Sequence, residues 1–93
     1  MITVVLTIHL QLPGVNSLKE KRRIVKSLTT KLRNKFNISI AEVGDNDIYR
    51  SAIIGVAIVS NSSSFGHQVA SKLINRIETD STVVLSDYST ETA

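Results

Sequence analysis

Residues 2–12 alternate almost without exception. Ile2, Val4, Leu6, Ile8, Leu10 and Leu12 are apolar, and of the intervening Thr3, Val5, Thr7, His9 and Gln11 only Val5 is. Neighbouring side chains of a strand point to opposite faces, so a period of two predicts a strand with one face in a core and the other half-exposed. The buried face then needs a second layer laid over it. Pro13 and Gly14 end the run. Ser17, followed three residues later by Glu20, has the form of a capping box, which predicts a helix over 18–35. At 100° steps Leu18, Ile24, Val25, Leu28, Leu32 and Phe36 share one broad face and Lys19, Arg22, Arg23, Lys26 and Arg33 the opposite one. Lys21 points toward the apolar side, where a long side chain is expected to snorkel outward.

The rest of the chain supplies the missing layers. Residues 37–43 predict a second strand with Ile38 and Ile40 inward, and Gly44, Asp45, Asn46 and Asp47 are turn formers. A third strand is expected over 49–60, nearly continuous in small and β-branched apolar residues, with Ala52, Ile54, Val56 and Ile58 on one face and Ile53, Gly55, Ala57 and Val59 on the other. Asn61 to Ser64 offer several N-caps, after which Phe65, Val69, Leu73, Ile74 and Ile77 recur at helical spacing to about residue 78. A short last strand is expected over 82–88, and 89–93 reads as a polar, frayed tail after one domain spanning 1–88. The order βαββαβ predicts an α+β ferredoxin-like plait, a four-stranded antiparallel sheet with two helices on one face.

Composition removes whole classes of chemistry. With 93 residues and no Cys there is one core and no disulfide, Cys-ligated zinc or thiol nucleophile. His9 and His67, the only histidines, fall on different layers, so no shared metal site or catalytic pair is expected. Glu42, Asp45 and Asp47 cluster at one hairpin, but the two aspartates read as turn formers, and Glu42 shares parity with Ile38 and Ile40, which aims it at the first helix and a cation there. No reaction, metal or cofactor is assigned. The apolar N-terminal stretch has no preceding Lys or Arg and is interrupted by Thr, His and Gln, so neither a signal peptide nor a membrane span is expected, and the cytoplasm is.

Charge is unevenly placed. Eleven Lys and Arg against eight Asp and Glu give a net charge of +3. Between Ser17 and Lys35, however, eight cations (Lys19, Lys21, Arg22, Arg23, Lys26, Lys31, Arg33 and Lys35) face only Glu20, a local charge of +7 against −4 elsewhere. An exposed helix gains from mixing Glu with Lys, so a row this one-sided accepts self-repulsion and suits a polyanion. Five cations over about four turns can each displace condensed counterions from a phosphate backbone.

The residues Leu10, Pro13, Gly14, Ser17, Leu18, Lys19, Lys21, Arg22 and Arg23, with Asn37, Ser39, Ala41, Glu42, Val43 and Gly44 and then Gly55, Ala57, Val59 and Ser60, resemble the YlxP-like family, small bacterial proteins grouped as a domain of unknown function. The resemblance implies the same plait and no established reaction. Genes of that family often lie beside genes for translation initiation and ribosome maturation, which implies a ribosomal setting. At Tyr49, Arg50 and Ser51 the chain departs from the family pattern of a tryptophan followed by Gln and Arg.

Three functional readings follow. The first is a non-enzymatic domain binding structured RNA, including that of a ribosomal particle, through Lys19, Lys21, Arg22, Arg23, Lys26 and Arg33; the alternative for the same row is an ordinary solvated helix face. The open sheet face carries no aromatic on the first or third strand, so bases are not expected to stack there. The second reading is a homodimer or protein interface on that face through Val5, Ile53, Ala57 and Val59, with Ala41, Val43 and Val84 alongside. The third is a small-ligand sensor like the ACT domains, at the turn from Pro13 to Lys19, where the simpler explanation is structural: the turn needs Gly14 for its backbone geometry and Pro13 to end the strand.

Overall fold

A computed structural model of the chain describes residues 1–93. The alternating run is β1 (Ile2–Gln11), in which Val4, Leu6, Ile8 and Leu10 are fully enclosed while Thr3, Val5, Thr7 and His9 are half-buried. Next comes α1 (Leu18–Lys35), capped by Ser17, whose Oγ accepts from the Glu20 N–H at 3.2 Å. Then follow β2 (Ser39–Gly44), β3 (Ser51–Ser60), α2 (Ser63–Glu78) and β4 (Val84–Thr92). The sheet order is β2-β3-β1-β4, all neighbours antiparallel. The chain is thus the ferredoxin-like plait expected.

One core of 19 apolar residues lies between the layers. Val4, Leu6, Ile8 and Leu10 of β1, with Ala52, Ile54, Val56 and Ile58 of β3, form its floor. Val25, Leu28 and Leu32 of α1 and Ala70, Leu73, Ile74 and Ile77 of α2 form its roof. α1 lies over the β2 side, and α2 crosses β1, β3 and β4. β2 keeps the predicted parity as far as Glu42, which sits opposite Ile54, and slips register only between Glu42 and Gly44. The bulge sets Gly44 opposite Ile53 and leaves Val43 over Gly55 on the open face, where an added Cβ would stand 2.9 Å from Val43 Cγ1.

Two expectations are corrected. The polar tail expected at 89–93 is not frayed: Ser89, Thr90, Glu91 and Thr92 pair with Thr7, Leu6, Val5 and Val4, and the Ala93 N–H donates to the Thr3 carbonyl at 2.7 Å. The last strand therefore runs over Val84–Thr92 rather than 82–88, and the domain extends beyond residue 88. The physical reason is backbone demand. Without this strand the outer edge of β1 would leave its hydrogen-bonding groups unpaired, and Ser and Thr satisfy such an edge without contributing apolar contrast. His67 on α2 adds a 3.0 Å hydrogen bond to the Thr92 hydroxyl. The second correction concerns Gly14, which has no positive φ and open space where a Cβ would be, so the turn does not require a glycine there.

Gly66 is different. A Cβ there would lie 2.7 Å from Val4 Cγ2, in the core where α2 passes closest to β1. The Gly66→Ala variant gains about 1 kcal/mol of helix propensity but meets an overpacking cost of roughly 1–3 kcal/mol. Thermal unfolding is expected to show a lowered midpoint for Gly66→Ala, whereas Gly55→Ala, whose neighbour Val43 is free to move in solvent, stays close to the parent.

Candidate nucleic-acid interface

α1 turns one cation inward and seven outward, five of them along one arc. Lys21 is fully buried, the largest side chain with no exposed surface. Its ammonium stands 2.8 Å from Glu42 Oε2, donates to the Ile48 carbonyl at 2.6 Å, and donates to the carbonyl of Asp45. Glu42 Oε2 has no other partner, and its contact with Lys21 is Coulombic rather than a directed hydrogen bond. The sequence placed Glu42 toward a cation of the first helix, and this is that cation. The expectation that Lys21 belongs to the nucleic-acid surface is corrected: its two hydrogen bonds and its ion pair all lie inside the fold and the side chain is fully buried, so it neither snorkels nor reaches a phosphate.

The hairpin tip is built to receive it. Asp45 adopts a left-handed backbone, φ 57°, a conformation Asp tolerates better than most residues. Its side chain accepts from the Ser51 hydroxyl at 2.7 Å, and its carbonyl also accepts from the Ile48 N–H at 3.0 Å. Arg50 ties the other side: its Nε donates to the Val15 carbonyl at 2.9 Å and its Nη2 to Asn16 Oδ1 at 3.2 Å. The hairpin is thereby fastened to the start of α1 from both flanks.

With Lys21 pinned, the rotation of α1 is fixed. Lys19, Arg22, Arg23, Lys26 and Arg33 are all exposed and occupy an arc of about 100° over about 21 Å of helix. Arg33 lies only about 20° from Arg22 on the wheel and donates to the Ile40 carbonyl of β2 at 3.4 Å, so this arc looks outward and toward the β2 edge. None of the five takes part in an ion pair; Lys21–Glu42 is the only one in the structure. Glu20 shares a shallow recess of about 290 Å³ with Ser17, Lys19 and Arg23 without pairing with either cation.

Lys31 and Lys35 belong to a second flank, facing α2. Lys35 shares an open cleft of about 340 Å³ with Phe36, Lys72, Asn75, Arg76 and Thr79, a grouping the linear sequence did not reveal because it joins two helices. This flank contains a carboxylate. Burial raises the Asp80 pKa, but hydrogen bonds from the Thr82 hydroxyl and N–H and the charges of Lys31 and Arg76 outweigh it, leaving the carboxyl below its usual value of 3.8. The outward arc is thus the less neutralised of the two surfaces.

The open sheet face is less apolar than the sequence suggested. Val5, Ile53 and Ala57 are half-buried among their neighbours, while Val59 at 63%, Val43 at 60%, Val84 at 53% and Ala41 are exposed. Cross-strand partners on β4, Asp87 beside His9 and Glu91 beside Val5, border the patch with acid. The cleft at Pro13, Gly14 and Val15, about 230 Å³, has Glu20 as its only charged lining residue, which suits no carboxylate ligand.

Two measurements check this geometry. Replacing Lys21 by Met is expected to destabilise by about 3–5 kcal/mol, because it strands Glu42 and two carbonyls, and adding Glu42→Leu to it should recover part of that loss in a denaturant titration. Asp80→Asn should lower stability by up to about 1 kcal/mol at neutral pH. Since the folded carboxyl titrates below the unfolded one, that difference is fully present above the unfolded value and disappears as pH falls through the folded one.

A family model described as a protein of unknown function (DUF503) matches residues 3–90. The uncharacterized protein YlxP of Bacillus subtilis (strain 168) is 48% identical over 46 residues, 50% of this chain and 50% of that protein, so the aligned stretch spans about half the length of the curated relative. Because the family match reaches every element of the plait from β1 to β4, the chain belongs to the DUF503 family.

Proposed function

We propose that this protein is a non-enzymatic cytoplasmic domain that docks on structured RNA, that of a ribosomal particle, through Lys19, Arg22, Arg23, Lys26 and Arg33. One observation carries the reading: five exposed cations share one arc of α1 and none takes part in an ion pair. A helix serving only as scaffold reduces self-repulsion by interleaving acids. The ribosomal setting implied by the family resemblance favours RNA among polyanions. No helix is long and apolar enough to cross a membrane. Phosphate contacts fix position without reading bases, so the interaction is led by the shape of the RNA.

A second reading, homodimerisation through the open sheet, is favoured by the exposure of Val43 and Val59 on one face. The two readings use opposite layers and are separable.

Binding through five phosphates predicts that log affinity falls with log salt at a slope on the order of −4. The double variant Arg22→Glu, Arg23→Glu keeps a folded helix and loses ribosomal particles in co-sedimentation; retention at the parental level would contradict the proposal. For the second reading, Val59→Glu should reduce the sedimenting mass by half, and an unchanged mass removes it.

A further inference from the structure

The tip between β2 and β3 holds two large apolar residues in solvent, Ile48 at 52% and Tyr49 at 40% exposure. Both neighbours of Tyr49 are anchored. The Ile48 carbonyl is held by the Lys21 ammonium at 2.6 Å, and the Arg50 carbonyl accepts from the Leu12 N–H at 2.9 Å. The Arg50 guanidinium, fixed by Val15 and Asn16, lies over the Tyr49 ring at 5.6 Å from its centroid. One face of the ring is therefore backed by a cation, while the residue keeps 40% of its surface open to solvent. An aromatic ring fixed in this way loses little conformational freedom when something stacks on it.

The hairpin tip that carries the ring is fastened to the helix of the cationic arc. Lys21 touches Ile48, one residue from Tyr49, and Arg22, next to Lys21 in the chain, turns outward on the flank facing β2. No other aromatic lies on this flank: Phe36 ends α1, Phe65 opens α2 and Tyr88 is on β4. Asp47, exposed at the same tip and in no ion pair, repels phosphate, so a strand held by Arg22 passes on the α1 side of the hairpin.

We propose that Tyr49, backed by Arg50, is a stacking site for one unpaired nucleobase of the RNA whose phosphates lie on the α1 arc. The inference rests on the RNA reading and deepens it: the substrate class is RNA with an unpaired nucleotide beside a structured stem. A π-face accepts any base, so the site adds affinity with little sequence preference.

The test uses the full chain with two probes, an RNA hairpin with an unpaired loop and a blunt duplex of the same stem. Tyr49→Ala is expected to weaken hairpin binding by roughly 5- to 100-fold without changing the salt slope or duplex binding, and Tyr49→Phe is expected to bind as the parent does. Hairpin binding by Tyr49→Ala within about twofold of the parent, or equal loss on both probes, overturns the stacking site. The arm with Arg22→Glu, Arg23→Glu separates the two ideas: if that variant still binds the hairpin, the cationic arc fails and the stacking site with it, whereas if it loses binding and Tyr49→Ala does not, only the stacking site fails.

Discussion

A charged amine with no exposure to water holds this structure in register. Removing an ammonium from water costs several kcal/mol unless its protons are satisfied and its charge is opposed. Lys21 meets both conditions, with two carbonyls from the hairpin tip and the carboxylate of Glu42. Each partner lies on the β2–β3 segment, so the contact joins α1 to a hairpin whose tip contributes no residue to the hydrophobic core. It also fixes the rotation of the helix, because any turn of α1 about its axis would break a buried polar contact as well as an apolar one. An apolar residue at the same position would tolerate small rotations at little cost; an ammonium with three fixed partners does not.

The surface follows from that constraint. When Lys21 points down, residues about 100° to 200° round the helix point out, and in this chain five of the six in that range are Lys or Arg, the sixth being Thr30. Apart from Glu20, which shares a recess with Lys19 and Arg23, carboxylates lie off the arc: Glu42 inside, Asp80 beside Lys31 and Arg76, Asp87 and Glu91 on the outer strand. A net charge of +3 thus understates the field near α1. Opposite layers of the plait offer opposite chemistry, a cationic helix flank on one side and a sheet bordered by acid on the other. The hairpin tip that Lys21 fastens also carries Tyr49, and its anchoring has the same origin as the orientation of the helix.

Much of this was legible from residue order. The alternation in 2–12, the Ser17 cap and the helical spacing of Val25, Leu28 and Leu32 led directly to β1, α1 and the roof of the core, and Glu42 was aimed correctly by parity alone. β4 was half-missed because Ser89, Thr90, Glu91 and Thr92 are polar on both faces, so its pairing follows from the backbone of β1 and leaves no hydropathy signal. Lys21 stood at a core angle in the sequence, but a lysine there ordinarily extends its amine to water. What kept it inside is the left-handed turn at Asp45, which helps present two carbonyls to one point, a convergence of residues 24 and 27 positions apart that periodicity does not encode. Tyr49 and Arg50 were obscured for the same reason: a hairpin tip has no repeating pattern.

Lysine footprinting by mass spectrometry, run on the folded protein alone and with ribosomal particles, tests the whole account at once. The account predicts that Lys21 stays unmodified in both samples until the chain is unfolded, while Lys19 and Lys26 are modified in the free protein and shielded in the complex, with Lys72 modified in both. Labelling of Lys21 at the rate of Lys19 in the folded protein, or undiminished labelling of Lys19 and Lys26 in the presence of the particles, would contradict it.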